Sequence, residues 1–277
     1  MFSFKNVGEL LFVQGKSFEN VSYGFSSRIG GISAPPWNTL NLAMKTDDSS
    51  SNIGENWSRY MAALNLEAVP VFFGKQTHGT KIRQITSTTK DRSHEFDCLK
   101  FYDNDRFICA GECDALWTDE PGIAVSVFTA DCLPILVVGS GSHPFVAAIH
   151  GGWRGLVSKI IHRTLSTIAS TIPFSPEDVT LIVGPHIRNC CFEVSSDVAE
   201  TLDQNCSGSI KPNKDYVGKY LADLGMMVGD DGADFGIPAG QIHICELCTC
   251  CNEEHFYSYR RTRTADRGSM SSVISIV

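Results

Sequence analysis

Three stretches of the chain are expected to be helical, two of them from apolar residues at the three-to-four-residue spacing of an amphipathic helix. The first predicts a helix from about Ile53 to Leu66, with apolar positions at Ile53, Trp57, Met61 and Leu64. The second predicts a helix after Gly155 that ends near Pro173, with apolar positions at Leu156, Ile160, Ile161, Leu165 and Ile168. A third helix is expected through Val198 and Leu202.

Short apolar runs between glycines and polar residues predict buried strands. They are Val71–Gly74, Asp114–Trp117, Ile123–Phe128, Ile135–Val138, Phe145–Ile149 and Val179–Val183. The run 256–261 alternates and predicts a further strand that brings two arginines to one region. Residues 205–215 are expected to form a polar loop, and residues 87–112 a surface insertion of unknown role.

Two of these strands, Ile135–Val138 and Phe145–Ile149, are separated by only six residues, Gly139 to Pro144. A parallel return needs a crossover of roughly a dozen residues, so the two strands should pair antiparallel. A hairpin centred on Gly141 sets Cys132 opposite His150. Directly opposed side chains have Cβ atoms about 4.5–5.5 Å apart, close enough for a thiolate and an imidazole to share a metal ion or a proton.

Neither an internal repeat nor a convincing linker divides the 277 residues, so we expect one α/β domain spanning 1–277. The net charge of −8 and the lack of a basic stripe argue against general nucleic-acid binding. No run reaches the roughly 18–20 apolar residues of a membrane span, and the N-terminus lacks a secretory signal. A cytoplasmic protein is expected, and its oligomeric state is not indicated.

Eleven cysteines, several of them adjacent in the chain, do not resemble a disulfide framework and favour reduced thiols or metal ligands. The densest group spans Cys245 to Cys251. It could form a structural zinc site, but it lacks a matching second Cys-x-x-Cys or His pair. Clustered free thiols are therefore the expected state of this segment.

His78, in the segment Gln76–Gly79, is a third candidate ligand beside Cys132 and His150. Two histidines and a cysteine suit zinc, and three protein ligands leave a fourth position open, as in catalytic sites. The same pair also suits a cysteine nucleophile with a histidine base. In the third interpretation, Cys132 is a buried core thiol and the two histidines only form hydrogen bonds, with no metal-binding or catalytic role.

Positive charge gathers in two places. Arg154 stands where a helix begins after the glycines of His150–Gly155, and a helix N-terminus can bind an anion. Near the C-terminus lies a run of arginines, Arg260, Arg261, Arg263 and Arg267. Arginines bind phosphate or carboxylate through paired hydrogen bonds, although such a run is also typical of a solvated strand.

Eight segments resemble, in order, the multicopper polyphenol oxidase-like or laccase-domain family, regarded as purine nucleoside phosphorylases and adenosine deaminases. They are Ser27–Ser33, Leu40–Leu42, Gln76–Gly79, Cys113–Leu116, Ala130–Pro134, His150–Gly155, Gly184–Ile187 and Ser258–Arg261. The chain departs from the family pattern at Gly151, where alanine is common, and at Ser26-Ser27, where the family has Thr-Thr.

The resemblance implies a layered α/β/β/α fold with mixed sheets, similar to that of cysteine-dependent toxin deamidases. It implies Zn²⁺ held by His78, Cys132 and His150, and a zinc-bound water or phosphate acting on purine nucleosides. Phosphorolysis of adenosine, inosine and methylthioadenosine and deamination of adenosine are the expected reactions. Cys132, His150 and Asp131 are the candidate catalytic residues; the candidate substrate-binding residues are Arg28, Asn41, Gln76, Arg154 and Arg260.

Three other functions remain open. A metal-free cysteine hydrolase or deamidase would use Cys132 as nucleophile and His150 as base. A copper polyphenol oxidase is disfavoured, because the eight histidines include no closely spaced His-x-His pair. A binding protein with a vestigial site would keep the ligands without turnover. The sequence indicates neither the preferred nucleoside nor any protein partner.

Overall fold

A computed structural model describes residues 1–43, 46–89, 106–264 and 267–277. The helices of this part of the chain are α1 (Ser50–Ala63), α2 (Trp153–Val157), α3 (Ile160–Ala169), α4 (Ser196–Asn205), α5 (Leu224–Phe235) and α6 (Tyr259–Thr262). The first eight strands are β1 (Ser3–Val7), β2 (Leu10–Gln14), β3 (Val21–Ser26), β4 (Val71–Lys75), β5 (Ile82–Gln84), β6 (Phe107–Glu112), β7 (Ala115–Thr118) and β8 (Ala124–Thr129). The others are β9 (Leu133–Gly139), β10 (Phe145–Gly151), β11 (Val179–Val183), β12 (Glu193–Ser195), β13 (Ile210–Pro212), β14 (Lys219–Ala222), β15 (Ile242–Ile244) and β16 (Met270–Ile276).

The strands form two large mixed sheets and one small sheet. The seven-stranded sheet has the order β1-β2-β3-β16-β8-β4-β6, with β4 parallel to both β8 and β6. The six-stranded sheet has the order β15-β11-β9-β10-β7-β5, with parallel pairs at both edges. The small sheet is β12-β14-β13. A mixed α/β domain is confirmed.

The two large sheets pack face to face, because alternate residues of their strands enter different cores. Val146 and Ala148 of β10 share a core with Phe25 and Val125 of the seven-stranded sheet. The intervening residues of β10, including Ala147, point to the opposite core. A strand buried on both faces loses its polar alternation, which explains why β9 and β10 read as continuous apolar runs.

Helices cover the outer face of each sheet. Trp57 and Met61 of α1 pack against Val71, Ala124 and Val273 of the seven-stranded sheet. On the other side, the apolar faces of α2 to α5 cover β9, β10 and β11. The order of layers is therefore helix, sheet, sheet, helices, as the α/β/β/α expectation has it.

The predicted helices exist but their ends differ. The first helix begins three residues early and stops at Ala63, because Asn65 adopts a left-handed conformation with φ 56°. The helix expected after Gly155 is two helices, α2 and α3. Lys159 lies between them with φ 58°, a conformation that interrupts the hydrogen-bond ladder.

Three predictions about loops and strands were wrong. The strand expected at 256–261 is the short helix α6, whose start is capped by the Ser258 side chain accepting from the Arg261 amide. The polar loop 205–215 contains β13, which pairs with β14. Residues 107–112 of the expected insertion form β6, a parallel neighbour of β4, and residues 90–105 lie outside the described residues.

None of the helices in the described ranges combines the length and apolar character that a bilayer crossing would require.

Gly184 lies at a close approach between the two large sheets. A Cβ there would lie 2.1 Å from the ring of Phe25, a residue of β3 in the facing sheet. We expect Gly184→Ala to lower the free energy of unfolding by about 1–3 kcal/mol, as overpacking of a core does. Gly229→Ala is the matched control, because a Cβ on this α5 residue meets nothing within 4 Å. It should leave stability unchanged or raise it by up to about 1 kcal/mol. Urea unfolding of both variants checks this; equal midpoints would contradict the close approach.

Candidate metal centre

The candidate centre lies where the chain passes from one large sheet to the other. Strand β8 ends at Thr129 in the seven-stranded sheet, and β9 starts at Leu133 in the six-stranded sheet. Asp131, between them, has φ 111°, which turns the chain and sets Cys132 at the crossing. Since β4 is parallel to β8, both strands finish at the same end of the sheet, and the turn after β4, which carries His78, lies there too.

The hairpin of β9 and β10 forms as predicted, but its register is shifted. His150 pairs with Pro134 rather than with Cys132, because the turn is centred on Ser142. Residues two positions apart on a strand share a face, so Cys132 is a diagonal neighbour of His150. The expected proximity is therefore present, although the predicted direct opposition was wrong.

The structure brings His78, Cys132 and His150 together. Their ligand atoms all lie within 4.8 Å of one another, and Cys132 Sγ is 3.8 Å from His78 Nε2. In a tetrahedral zinc site with ordinary bond lengths this sulfur–nitrogen separation would be about 3.5 Å. His150 is buried, Cys132 half-buried and His78 exposed, so the group is closed on one side and open to solvent on the other.

Glycine makes room for the His78 ring. A Cβ on Gly152, which follows β10, would lie 2.7 Å from His78 Cδ2. The His78 and His150 rings meet edge to face with centroids 4.8 Å apart. The glycine turn predicted for anion binding therefore has a packing role beside the candidate ligand His78.

A buried carboxylate, Asp114, holds both histidines. Its Oδ1 accepts hydrogen bonds from the His78 backbone amide at 3.0 Å and from His150 Nδ1 at 2.8 Å. Its Oδ2 accepts from the amides of Thr77 and Gly79 and from the Thr77 hydroxyl. With His150 Nδ1 engaged, Nε2 of that ring is left for the centre.

The same contacts shift the pKa values of the three groups. Burial alone would raise the pKa of Asp114, but the hydrogen bonds from His150 and the backbone amides lower it to about 2. Burial raises the pKa of Cys132, but His150 and His78 outweigh it and lower this pKa to about 6. Burial lowers the pKa of His150, whereas Cys132 and Asp114 raise it to about 9. Without metal, the pair is therefore a thiolate and an imidazolium at neutral pH.

The carboxylate of Asp131 is occupied by the C-terminal segment. It accepts hydrogen bonds from the Thr249 hydroxyl at 2.7 Å, the Ser258 hydroxyl at 3.0 Å and the Arg260 amide at 2.7 Å. Thr249 and Ser258 are fully buried. Asp131 thus ties the crossing beside Cys132 to residues more than a hundred positions later in the chain.

Gln76 and Asn41, the two amide side chains predicted to contact substrate, form hydrogen bonds within the protein. Gln76 forms two hydrogen bonds with the backbone of Phe128, which dock the His78 turn onto the end of β8. Asn41 is fully buried and its side chain bonds Asp48 and the amides of Ala43 and Ser269. Contact with substrate stays a prediction for both residues.

The three predicted arginines differ in how much of the guanidinium is engaged. Arg28 donates to the carbonyls of Asn38 and Glu253 and lies over the ring of Tyr257. Arg260 donates to the Cys191 carbonyl. Arg154 is exposed and stacks over Trp153, and within the described ranges it makes no hydrogen bond from its guanidinium.

Two residues of the centre carried no role in the sequence interpretation. Asp114 opens a buried strand, and a carboxylate in such surroundings needs partners, which was the available signal. Arg267 was noted only as part of a charge run. Burial lowers its pKa, opposed by the nearby charges of Asp131, Tyr259 and Cys132, and its guanidinium lies over the Tyr259 ring. Its Nε is buried with no hydrogen-bond partner in the described part of the chain.

The hydrogen bonds of Asp114 generate a test. We expect Asp114→Asn to weaken metal binding at the centre by roughly 10–100-fold, because an amide cannot accept from His150 Nδ1 and the three backbone amides at once. Competition with a metal-binding dye measures this affinity. Glu112→Gln is the control, since that exposed carboxylate accepts from the Lys81 ammonium at 2.8 Å and from no other side chain in the described ranges. Equal affinities in the two variants would show that Asp114 does not support the ligands.

Comparison with known proteins shows the family of the chain. The profile of the family described as "Multi-copper polyphenol oxidoreductase laccase" matches residues 22–277. The chain is 34% identical over 255 residues to purine nucleoside phosphorylase YfiH of Shigella flexneri, covering 91% of this chain and 92% of that protein. It is 32% identical over 274 residues to the Escherichia coli (strain K12) protein of that name, covering 98% and 100%.

A solved structure has the same fold. The crystal structure of YlmD from Geobacillus stearothermophilus superposes with a TM-score of 0.83 at 26% identity, covering 99% of this chain and 98% of that one. The relatives are named as enzymes, and the matched span includes His78, Cys132 and His150. The chain belongs to the multi-copper polyphenol oxidoreductase laccase family, whose members similar to it are named purine nucleoside phosphorylases.

Proposed function

We propose that the protein is a zinc-dependent purine nucleoside enzyme that cleaves adenosine, inosine and methylthioadenosine by phosphorolysis and deaminates adenosine. The observation that carries the proposal is the His78, Cys132 and His150 group, closed on one side and open to solvent on the other. The names of the relatives support purine nucleosides and phosphate as the substrate class.

The donor set fits zinc in three respects. Thiolate and imidazole are ligands that zinc accepts, and three protein ligands leave one position for substrate or water. The Asp114 contact fixes the tautomer of His150, as carboxylates do for zinc-bound histidines. Zinc, when bound, supplies Lewis acidity that makes water or phosphate a stronger nucleophile near neutral pH.

Arg154 is the arginine best suited to hold phosphate. Phosphorolysis replaces the purine with phosphate at the anomeric carbon of ribose, so an anion must be held beside the reacting carbon. Arg154 lies two residues after Gly152, which touches the His78 ring, and its guanidinium is exposed. Arg28 and Arg260 already donate to backbone carbonyls, which leaves fewer of their N–H groups for an anion.

Asp131 acts as a positioning residue in this proposal. Its three hydrogen bonds keep the carboxylate turned toward Thr249, Ser258 and Arg260 rather than toward the ligands. The left-handed turn it adopts sets the direction of Cys132. Loss of Asp131 would therefore displace the thiolate rather than remove a proton carrier.

Metal analysis coupled to a product scan tests the proposal. We expect the purified protein to convert adenosine, inosine and methylthioadenosine with phosphate into free base and the ribose phosphate, and adenosine into inosine. His78→Ala, Cys132→Ala and His150→Ala should each lose the metal of this centre. Their activity should fall by more than the roughly 10–100-fold that loss of an outer hydrogen-bonding partner causes.

Arg154→Ala serves as the matched variant in this scan. It should keep the metal, raise the KM for phosphate and leave deamination of adenosine less affected. Chromatography of the reaction mixtures reports both products. Metal-replete protein that releases no base and no inosine from any of the three nucleosides would exclude the proposal.

A metal-free cysteine hydrolase or deamidase is the second candidate, and one observation favours it. Cys132 and His150 carry the pKa pattern of an activated thiolate paired with an imidazolium. This pattern describes the group without metal. The two candidates therefore differ in whether the thiolate is free in the purified protein.

Alkylation separates the two candidates. In chelator-treated protein, the rate at which iodoacetamide modifies Cys132 should rise through pH 6 and level off above it, because the thiolate is the nucleophile and its pKa is about 6. Cys113 and Cys206 are internal controls, since burial raises the pKa of each to about 12. Peptide mass spectrometry measures all three. Protection of Cys132 before chelation supports zinc, whereas equal rates before and after chelation support the hydrolase.

The copper oxidase interpretation gains little from the structure. Among the described residues two groups could hold a metal ion, and neither contains more than two histidines. Two histidines and a cysteine can hold a single electron-transfer copper ion, but a multicopper oxidation centre needs further imidazole ligands, which neither group contains. A cytoplasmic location stays a prediction.

A further inference from the structure

A second group of sulfurs lies apart from His78, Cys132 and His150. Cys190 and Cys191 precede β12, and the turn Cys248 to Cys251 follows β15. The Sγ atoms of Cys190, Cys191, Cys248 and Cys251, called here the four-cysteine cluster, all lie within 4.8 Å of one another. The chain thus brings an adjacent pair and a Cys-x-x-Cys pair together across almost sixty residues.

The spacing of these sulfurs suits a tetrahedral ion. Cys251 Sγ lies 3.5 Å from Cys190 Sγ and 3.3 Å from Cys191 Sγ. Zinc–sulfur bonds of about 2.3 Å in a tetrahedral site place the sulfurs about 3.8 Å apart. Small outward movements of two exposed side chains, Cys190 and Cys251, would therefore complete the shell.

A backbone amide also reaches the buried sulfur of the cluster. The Arg188 amide donates to Cys248 Sγ at 3.5 Å, and Cys248 is buried. A hydrogen bond donated to a cysteine sulfur favours the thiolate, which is the form that binds a metal ion.

Positive side chains surround the cluster. Arg261 donates to the carbonyls of Thr249 and Cys250, Arg260 donates to the Cys191 carbonyl, and Arg188 donates to the Cys245 carbonyl. Four thiolates around a divalent ion leave a net charge of −2. Three guanidinium groups held against carbonyls in or near the two turns offset part of this charge, and one of them, Arg261, also pairs with Glu253 at 3.8 Å.

We propose that the four-cysteine cluster is a structural zinc site, separate from the His78, Cys132 and His150 centre. Four protein ligands fill the tetrahedral shell and leave no position for substrate, so the ion stabilises the fold and does not take part in catalysis. It joins the turn before β12 to the turn after β15. Both turns reach Asp131. Thr249, in the second turn, donates to Asp131, and Arg260 donates from its side chain to the Cys191 carbonyl and from its amide to Asp131. The site thereby supports the crossing that carries Cys132, whether or not the proposed function is correct.

Metal content of single variants tests this site. Protein purified under reducing conditions should contain two equivalents of zinc by plasma mass spectrometry, and Cys132→Ser should contain one. Cys190→Ser and Cys251→Ser should each lose the other equivalent. Cys250→Ser is the matched control, because Cys250 lies inside the same turn but is not part of the cluster, and it should keep both. Wild-type metal content in both Cys190→Ser and Cys251→Ser would overturn the proposal.

Two further measurements cover variants that fail to fold. In the Cys132→Ser protein, replacement of zinc by Co²⁺ should produce a thiolate-to-cobalt charge-transfer band, which can arise only from sulfurs outside the first centre. Thiol titration of the folded Cys132→Ser protein should release four additional reactive thiols after chelation. Absence of the band, or a Cys191–Cys251 disulfide in protein alkylated without reduction, would show that the sulfurs do not hold zinc.

Discussion

The buried carboxylate of Asp114 is the interaction on which the centre depends. It accepts from the His78 amide, from His150 Nδ1 and from two further amides of the His78 turn, so one side chain fixes both histidines. A buried carboxylate is costly to leave unpaired, and these donors are what keeps it ionised. The turn and the ring are therefore locked to the same point before any metal binds. Preorganisation of this kind explains why an acidic residue lies directly before the buried strand β7 in this chain.

A second buried carboxylate, Asp131, directly precedes Cys132 in the chain. Asp131 turns the chain between the two sheets and is held by hydroxyl and amide donors of the C-terminal segment. The two carboxylates serve different segments: Asp114 positions the histidines, and Asp131 positions the crossing. Because the Asp131 partners come from residues 249–260, the position of Cys132 depends on chain that folds back from the C-terminus. Tertiary packing, rather than the local hairpin alone, sets the ligand geometry.

How much of this the sequence predicts depends on how local the cause is. The pairing of β9 with β10 follows from a six-residue link, and the proximity of Cys132 to His150 follows from that pairing. The register does not, because a shift of the turn centre by one residue moves each cross-strand partner by two. Strand β16, in the middle of the seven-stranded sheet, is not predicted, because its buried serines give the segment a polar sequence. The sequence predicts a strand where helix α6 forms, because the Ser258 cap that starts this helix is a contact between side chain and backbone. The four-cysteine cluster shows the same dependence on distant contacts. The Cys-x-x-Cys pair is visible in the sequence, but the pair that it meets lies almost sixty residues earlier, and only the tertiary fold brings the two together.

The distribution of charge bears on how an acidic protein could bind phosphate. The net charge is −8, so long-range attraction of an anion is not available. Arginines are nevertheless concentrated near the centre and the C-terminal segment, and at physiological ionic strength charges act over about 8 Å. Arg154 and Arg267 fall in this local group, one exposed beside the His78 turn and one half-buried near Cys132 and Asp131. Anion binding would then rest on contact between guanidinium and phosphate rather than on the field of the whole molecule.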